Sequence, residues 1–158
     1  MVIEELWTGN RGSIFLNSIQ PMTFRTTLRV RYAETDQMGV VYYANYFVWC
    51  EIGRVEYFRE LGYDYKQMEI ADDCHLPVVE ASCRYRSPAR YDDEVVIETR
   101  VTTLRSHVIK FGYRLARLTS DGEQLLAEAE TVHVSVDKNM RKRSLPEKYT
   151  TAIRATMA

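Results

Sequence analysis

The chain has 158 residues, which is enough for one domain with a substantial core but too few for a second full domain. Lysine and arginine total 21 against 22 aspartate and glutamate residues, so no excess of charge favours nucleic acid or an anionic membrane as a partner. No apolar run reaches the roughly 18 residues of a membrane span. From the charge balance we expect no nucleic-acid binding, and from the lack of such a run we expect no membrane insertion.

The cysteines and histidines do not form a recognisable disulfide or metal framework. Cys50, Cys74 and Cys83 are odd in number and contain no C-x-x-C pair. The histidines show no H-x-x-x-H or H-E-x-x-H spacing, which argues against the common zinc motifs. We therefore expect no metal site and a reducing, cytoplasmic setting. Residues 1–25 agree with this, because they carry acids and lack the apolar run of a signal peptide.

The hydrophobic pattern changes near residue 23. Residues 1–22 show no sustained period and contain glycine, asparagine and proline, so we interpret them as an N-terminal extension. From Phe24 to Tyr32 apolar and polar residues alternate, which predicts a half-exposed strand. We expect the folded domain at residues 23–145 and a C-terminal tail at residues 146–158.

A long helix is predicted after this strand. The run from Tyr46 to Leu61 ends before Gly62, a residue typical of helix ends, and Asn45 is a favourable N-cap. Apolar residues cover most of the circumference of its first turns. Such a helix should be buried on most of its sides.

Four further strands are predicted in the rest of the chain. Their ranges are 76–86, 94–104, 108–118 and 123–136, and Ser120, Asp121 and Gly122 mark a turn before the last of them. Consecutive strands with short connections favour an antiparallel meander, and the lone apolar helix needs a surface to cover it. We therefore predict an α+β fold in which a curved antiparallel sheet of about five strands wraps around one long central helix.

The segment between the first strand and the helix carries a specific motif. Residues 32–46, YAETDQMGVVYYANY, resemble the signature of the 4-hydroxybenzoyl-CoA thioesterase family and its YbgC-like branch. The likeness extends over residues 23–137 and includes the stretches LPVVE and YRSPARYDDE. It implies a hot-dog fold and hydrolysis of acyl-CoA thioesters, with coenzyme A as part of the substrate and no separate cofactor. It also implies a homodimer, or a homotetramer built from two dimers, with sites at the subunit interface.

The resemblance implies roles for three residues of the motif. Asp36 takes the family's role of nucleophile or general base, and the sequence leaves both open; without the motif, an aspartate in this context is typical of an Asx-turn. Tyr43 matches the position whose backbone N–H polarises the thioester carbonyl, and Gly39 would permit the turn that brings the two together. The YbgC-like branch commonly has histidine in place of Tyr43, so an imidazole is lacking here.

Substrate contacts are expected from two groups of residues. The first group belongs to the motif and the start of the helix and comprises Val41, Tyr42, Asn45 and Trp49. The second group is basic and would bind the phosphates of coenzyme A through charge-assisted hydrogen bonds. Its candidates are Arg84, Arg86, Arg90, Lys138, Arg141, Lys142 and Arg143, of which we assign Arg86 and Arg90 to the site. A solvated basic surface is the competing interpretation.

Three alternatives stay open. Glu51 could supply a second carboxylate from the helix, although an ion pair with Arg54, three residues on, is an ordinary feature of helices. The acyl group could be carried by acyl carrier protein instead of coenzyme A. A hot-dog domain could also bind acyl-CoA without turnover, because a fold does not determine a function.

Overall fold

A five-stranded antiparallel sheet is the largest element of the protein. The computed structural model describes residues 21–157, so the predicted extension lies outside the described residues except for its last two positions. The strands are β1 Phe24–Arg29, β2 Val78–Tyr85, β3 Glu94–Leu104, β4 Val108–Thr119 and β5 Gly122–Val134. They lie in the order β1-β3-β4-β5-β2, and each neighbouring pair is antiparallel. The predicted α+β class and five strands are confirmed.

The strand order departs from the predicted meander. β3, β4 and β5 pair in sequence, but β2 pairs with β5 at one edge and β1 pairs with β3 at the other. The connection at residues 86–93 makes this possible, because it is long enough to cross one end of the sheet. Within it Ala89 accepts the Val41 N–H at 2.8 Å, and Asp93 accepts the Val30 N–H at 2.9 Å. β1 therefore ends before Val30 and not at Tyr32.

One long helix, α1 at Asn45–Glu60, packs against the sheet. Its buried residues share one broad face and are Tyr46, Trp49, Cys50, Gly53, Arg54, Tyr57 and Phe58. Val48 and Glu51 are exposed on the other side, so the single chain covers one face of α1 and not most of its circumference. Asn45 is the first helical residue and not the predicted N-cap, and its Nδ2 donates to the Glu34 carbonyl at 2.9 Å.

The segment predicted as a C-terminal tail forms a helix, α3 at Glu147–Met157. Tyr149, Ile153 and Thr156 are buried, and their spacing places them on one helical face. The helix packs against β3, and Thr156 Oγ1 lies 2.9 Å from the Tyr57 hydroxyl on α1. The last helical segment of the chain is thus part of the packed fold.

A short helix, α2 at Tyr65–Ile70, follows α1 and also differs from the sequence-based expectation. It begins after Asp64, whose Oδ1 accepts the Lys66 N–H at 2.8 Å, so a side-chain cap starts it. None of the helices within residues 21–157 is long and apolar enough to cross a membrane.

Gly53 sets the distance between α1 and the sheet. A Cβ at this position would lie 2.5 Å from Thr99 Oγ1 and 2.9 Å from Ile97 Cγ2, both on β3. Contacts this short force neighbouring groups apart, since a well-packed core has little free volume. The close approach therefore depends on glycine.

We expect Gly53→Ala to lower the free energy of unfolding by about 1–3 kcal/mol, the usual cost of overpacking a core. Urea denaturation measures the change. Glu60→Ala, at the exposed end of the same helix, is the control and should change stability by less than about 0.5 kcal/mol. A Gly53→Ala protein as stable as the wild type would contradict the close approach.

Candidate active site

Asp36 begins a tight turn between β1 and α1. Its backbone N–H donates to the Val40 carbonyl at 2.9 Å, and its carbonyl accepts the Gly39 N–H at 3.0 Å. Asp36 Oδ1 accepts the Met38 N–H at 2.8 Å, so the side chain also forms an Asx-turn. Gly39 has a φ of 71°, a left-handed conformation that favours glycine. Within residues 21–157 no hydrogen bond engages Oδ2, which leaves this oxygen available for a reactant.

Tyr43 lies two residues before the first residue of α1. Its carbonyl accepts the Tyr85 hydroxyl at 3.0 Å and the Tyr46 N–H at 3.3 Å. Its own N–H has no hydrogen-bond partner in the described part of the chain. The N–H groups at the start of a helix lie at the positive end of its macrodipole. The Tyr43 N–H can therefore donate to an oxygen that gains negative charge.

Asp36 and Tyr43 line one open cavity of about 340 Å³. Most of the remaining wall is apolar or aromatic, and its residues are Met38, Val40, Val41, Tyr46, Tyr85, Arg86, Ser87 and Pro88. The rings of Tyr46 and Tyr85 meet edge to face, with centroids 5.0 Å apart. A carboxylate and a free N–H in a mainly apolar cavity of this size are typical of a small-molecule site.

A buried carboxylate, that of Glu34, ties the Asp36 turn to α1. The residue is only 4% exposed. Its carboxylate accepts the Arg31 N–H at 2.7 Å, the Arg31 Nη2 at 2.9 Å and the Trp49 Nε1–H at 3.1 Å. One side chain thus joins Arg31, two residues after β1, to the second turn of α1.

The backbone carbonyl of Glu34 holds the residues that precede α1. It accepts the Tyr42 N–H and the Asn45 Nδ2–H, each at 2.9 Å. Burial opposes the charge on Glu34, but hydrogen bonds from Arg31 and Trp49 outweigh it and keep the pKa of this carboxyl below its ordinary value. Glu34 is therefore ionised at neutral pH, and its interactions are lost only as the pH falls through that lowered pKa.

The structure brings several of the predicted site residues together. Those that line the cavity are Asp36, Val41, Tyr43 and Arg86. Gly39 and Arg90 lie beside it, where Arg90 Nη1 donates to the Gly39 carbonyl at 3.2 Å. Arg86 pairs with Glu128 at 3.0 Å on a half-exposed surface, so it can exchange this partner for an anionic ligand at small cost.

Tyr42, Asn45 and Trp49 do not line the cavity, although the sequence places them near the substrate. Trp49 is fully buried and Asn45 half-buried, and both donate to Glu34. The exposed Tyr42 ring packs on the Tyr43 ring, with centroids 4.6 Å apart. All three side chains contact Glu34 or Tyr43, residues beside the site, and not the cavity itself.

The late basic residues lie at the far end of the sheet. Those that are exposed are Lys138, Arg141 and Lys142, and Lys142 pairs with Val136. Val136 stands nine residues along the chain from Ala127, which pairs with Tyr85 at the cavity. Extended chain of this length spans about 30 Å at ~3.3 Å per residue. Within one chain, these three residues are remote from Asp36.

The other two basic candidates also lie away from the cavity. Arg84 lies on β2 and lines a groove on another part of the sheet, together with Arg100 on β3. Arg143 Nη1 donates to the Asp72 carbonyl at 2.8 Å and therefore stabilises the loop after α2.

The predicted ion pair between Glu51 and Arg54 is not formed. Glu51 is exposed and has no ion-pair partner among residues 21–157. Arg54 is buried against the sheet, where its Nη1 donates to the Tyr113 hydroxyl at 3.3 Å. Arg54 is turned towards the sheet and Glu51 towards solvent, and neither lines the Asp36 cavity.

Cysteine and metal chemistry find no support in the described residues. Within 21–157 no group of three or more potential ligands could hold a metal ion. All three cysteines are free, and burial raises the pKa of the Cys50 thiol far above its usual range. Burial, with the nearby Arg54 charge, lowers the pKa of His133 to about 4, so this imidazole is neutral at pH 7.

The motif does not identify three residues that shape or support the cavity, namely Glu34, Tyr46 and Tyr85. Glu34 stands within the motif, but only its burial distinguishes it from a solvated acid. Tyr46 contributes both a wall of the cavity and a hydroxyl that accepts the Ala89 N–H at 3.2 Å. Tyr85 could have been noticed as an aromatic residue at the end of a strand, before the Ser87-Pro88 break.

Comparisons with known proteins agree on one family. Residues 30–153 match the Thioesterase-like superfamily. The chain is 36% identical over 115 residues to the putative acyl-CoA thioesterase YneP of Bacillus subtilis, which covers 73% of this chain and 80% of that protein. It is 35% identical over 125 residues to the acyl-CoA thioester hydrolase YbgC of Escherichia coli, and the match covers 78% of this chain and 90% of that protein.

A solved structure of a thioesterase is also similar to this chain. A 1,4-dihydroxy-2-naphthoyl-CoA thioesterase from Synechocystis superposes with a TM-score of 0.76 at 28% identity, covering 84% of this chain and 96% of that one.

We expect Gly39→Ala to lower the free energy of unfolding by about 1 kcal/mol, because alanine is disfavoured at positive φ. A Cβ there would meet only Arg90 Nη1, at 3.8 Å, so no steric clash adds to this cost. Gly39→Asn should be less destabilising, since asparagine tolerates the left-handed region. Urea denaturation of both variants tests the turn geometry, and equal losses for alanine and asparagine would contradict it.

Proposed function

The chain belongs to the thioesterase-like superfamily, and we propose on this basis that it hydrolyses acyl-CoA thioesters to the free acid and coenzyme A at the cavity of Asp36 and Tyr43. One observation carries the assignment of residues. A carboxylate with a free oxygen and a backbone N–H without a partner in the described chain line the same mainly apolar cavity of about 340 Å³.

The two groups match the needs of thioester hydrolysis. The carbonyl oxygen gains negative charge in the transition state, and the Tyr43 N–H donates to it. Asp36 then acts in one of two ways. As a general base it takes a proton from water while the water oxygen bonds to the carbonyl carbon; as a nucleophile its own oxygen bonds to that carbon, and water hydrolyses the resulting anhydride.

Release of coenzyme A does not require a histidine imidazole at position 43, where this chain has tyrosine. In both routes the C–S bond breaks and the sulfur leaves as a thiolate. A thiol such as that of cysteine has a pKa of about 8.5, so a thiolate can leave without protonation by an acid. The proton released from water neutralises the thiolate afterwards, and the reaction needs no cofactor.

We also propose that α1 is the central helix of a hot-dog fold. The apolar face of α1 packs on the sheet, with Trp49, Tyr57 and Phe58 fully buried. β-bulges at Thr102 in β3 and at Leu126 in β5 support the curvature that such a fold requires. We further place the protein in the cytoplasm, where its three free cysteines would stay reduced.

A homodimer would complete the site. β2 is an edge strand in which every residue except Cys83 is exposed, and unpaired edges of this kind are templates for pairing with a second chain. We propose that two copies pair through β2 about a twofold axis. Antiparallel pairing reverses the second strand, so the Val78 end of one copy meets the Tyr85 end of the other.

This pairing would bring the late basic residues back to the site. Within one chain Lys138, Arg141 and Lys142 lie near the Val78 end of β2. In the dimer they would stand beside the Asp36 cavity of the partner, where they could bind the phosphates of coenzyme A. A tetramer of two such dimers is compatible with this arrangement.

Asp36→Asn should lower kcat for thiol release from acyl-CoA by about 10²–10⁴-fold, the size of a lost general base. The substitution keeps the shape of the side chain, so binding of coenzyme A, measured by calorimetry, should persist. A panel of aliphatic and aromatic acyl-CoAs, assayed in parallel, identifies the preferred acyl group.

Glu51→Gln is the matched control for this assay, because Glu51 is an exposed carboxylate on α1 that does not line the cavity. Its activity should equal that of the wild type. Loss of activity in Glu51→Gln with full activity in Asp36→Asn would move the chemistry to the helix, and saturable binding without turnover by the wild type would indicate a binding module.

Mixed dimers test the shared site. We expect Asp36→Asn and the triple variant Lys138→Ala, Arg141→Ala, Lys142→Ala each to be weak alone at limiting acyl-CoA. In a mixed dimer one site has both an intact Asp36 and the partner's intact basic residues, so equimolar mixing should restore about a quarter of wild-type activity. No recovery after subunit exchange, verified by native mass spectrometry, would contradict contribution from the partner.

A further inference from the structure

We propose that Glu34 is a positioning residue for thioester hydrolysis, which holds the Asp36 turn and the Tyr43 N–H in one fixed arrangement through its contacts with Trp49 and Tyr42. The inference rests on the proposed function and extends it to a residue outside the cavity wall. Glu34 lies two residues before Asp36 along the chain.

The side chain of Glu34 is anchored on a rigid part of α1. Trp49 donates to it at 3.1 Å and is fully buried, with its ring 4.9 Å from the Tyr46 ring. Tyr46 in turn forms part of the cavity wall. A shift of Glu34 relative to α1 would therefore also shift the Asp36 turn relative to the helix start.

The backbone of Glu34 supplies the second link. Its carbonyl accepts the Tyr42 N–H at 2.9 Å, and the peptide that follows Tyr42 carries the Tyr43 N–H. The same carbonyl accepts Asn45 Nδ2–H at 2.9 Å. Both reactive groups are thus within two covalent or hydrogen-bonded steps of one residue. A misplacement of about 1 Å in such a site can cost roughly 100-fold in rate.

Stability alone does not require a carboxylate at this position. Desolvating a charge is expensive, and well-packed apolar groups often stabilise a core as well as a buried ion pair does. A planar acceptor for three donors, by contrast, defines direction as well as distance. The Glu34 carboxylate therefore fixes the positions of Arg31 and Trp49 relative to each other.

Two variants break the link in different ways. Trp49→Phe removes the Nε1–H but keeps an aromatic ring, and Glu34→Gln replaces one acceptor oxygen by a donor. We expect each to lower kcat about 10- to 100-fold with KM within about twofold of wild type, since the acyl-CoA contacts are unchanged. Ile153→Val is the control for lost stability, because Ile153 is buried on α3 and does not line the cavity. Its kcat should equal that of the wild type.

Amide hydrogen exchange, followed by NMR, gives a readout that does not depend on activity. The Tyr42 amide should exchange at least about tenfold faster in Trp49→Phe and Glu34→Gln, whereas the Phe111 amide on β4 should keep its rate relative to wild type. In Ile153→Val the ratio of the Tyr42 and Phe111 exchange rates should match that of the wild type.

The outcomes separate this proposal from the proposed function. Full activity in Asp36→Asn would overturn the assignment of the carboxylate, while Tyr42 exchange would still decide whether Glu34 holds the loop. If Asp36→Asn is inactive but both Glu34→Gln and Trp49→Phe keep kcat within about twofold of wild type, the positioning role is overturned. Equal acceleration of the Tyr42 and Phe111 amides would overturn it too, because the effect would then be global.

Discussion

The candidate site is organised around the start of α1, a helix end without a side-chain cap. Ala44 precedes the helix and provides no capping oxygen, although such a cap typically contributes about 1 kcal/mol. Packing of the buried face of α1 on the sheet compensates for the missing cap. The Tyr43 N–H, in the residue before Ala44, has no partner in the described chain and lies at the positive end of the helix, where an oxyanion can accept its hydrogen bond.

An unpaired N–H is useful for catalysis only if its direction is fixed before the substrate arrives. The Tyr85 hydroxyl holds the Tyr43 carbonyl, Glu34 holds the preceding residue, and Gly53 lets α1 approach β3 closely. The first two contacts join the residues before α1 to β2 and to the loop after β1, and the third joins the middle of α1 to β3. In the proposed mechanism the donor is therefore preorganised, and no reorganisation has to accompany the build-up of charge in the transition state.

Alternation along the strands, the long apolar helix and the motif at residues 32–46 were sufficient to predict the class of fold, the number of strands and the pairing of Asp36 with Tyr43 in one cavity. Features that depend on distant contacts were not predicted. Residues 146–158 were assigned to a tail although α3 buries Tyr149, Ile153 and Thr156, and Asn45 was interpreted as an N-cap although its side chain donates to the Glu34 carbonyl, eleven residues away. Local spacing likewise cannot reveal that Arg54 faces Tyr113 and not Glu51.

The most direct test of the account is a crystal structure of the Asp36→Asn variant with a bound acyl-CoA. We expect the thioester carbonyl oxygen to lie about 3 Å from the Tyr43 nitrogen, a normal hydrogen-bond distance, with the substituted side chain at position 36 facing the carbonyl carbon or a water beside it. A thioester bound elsewhere, with the Tyr43 N–H still unpaired and Glu51 beside the carbonyl, would contradict it.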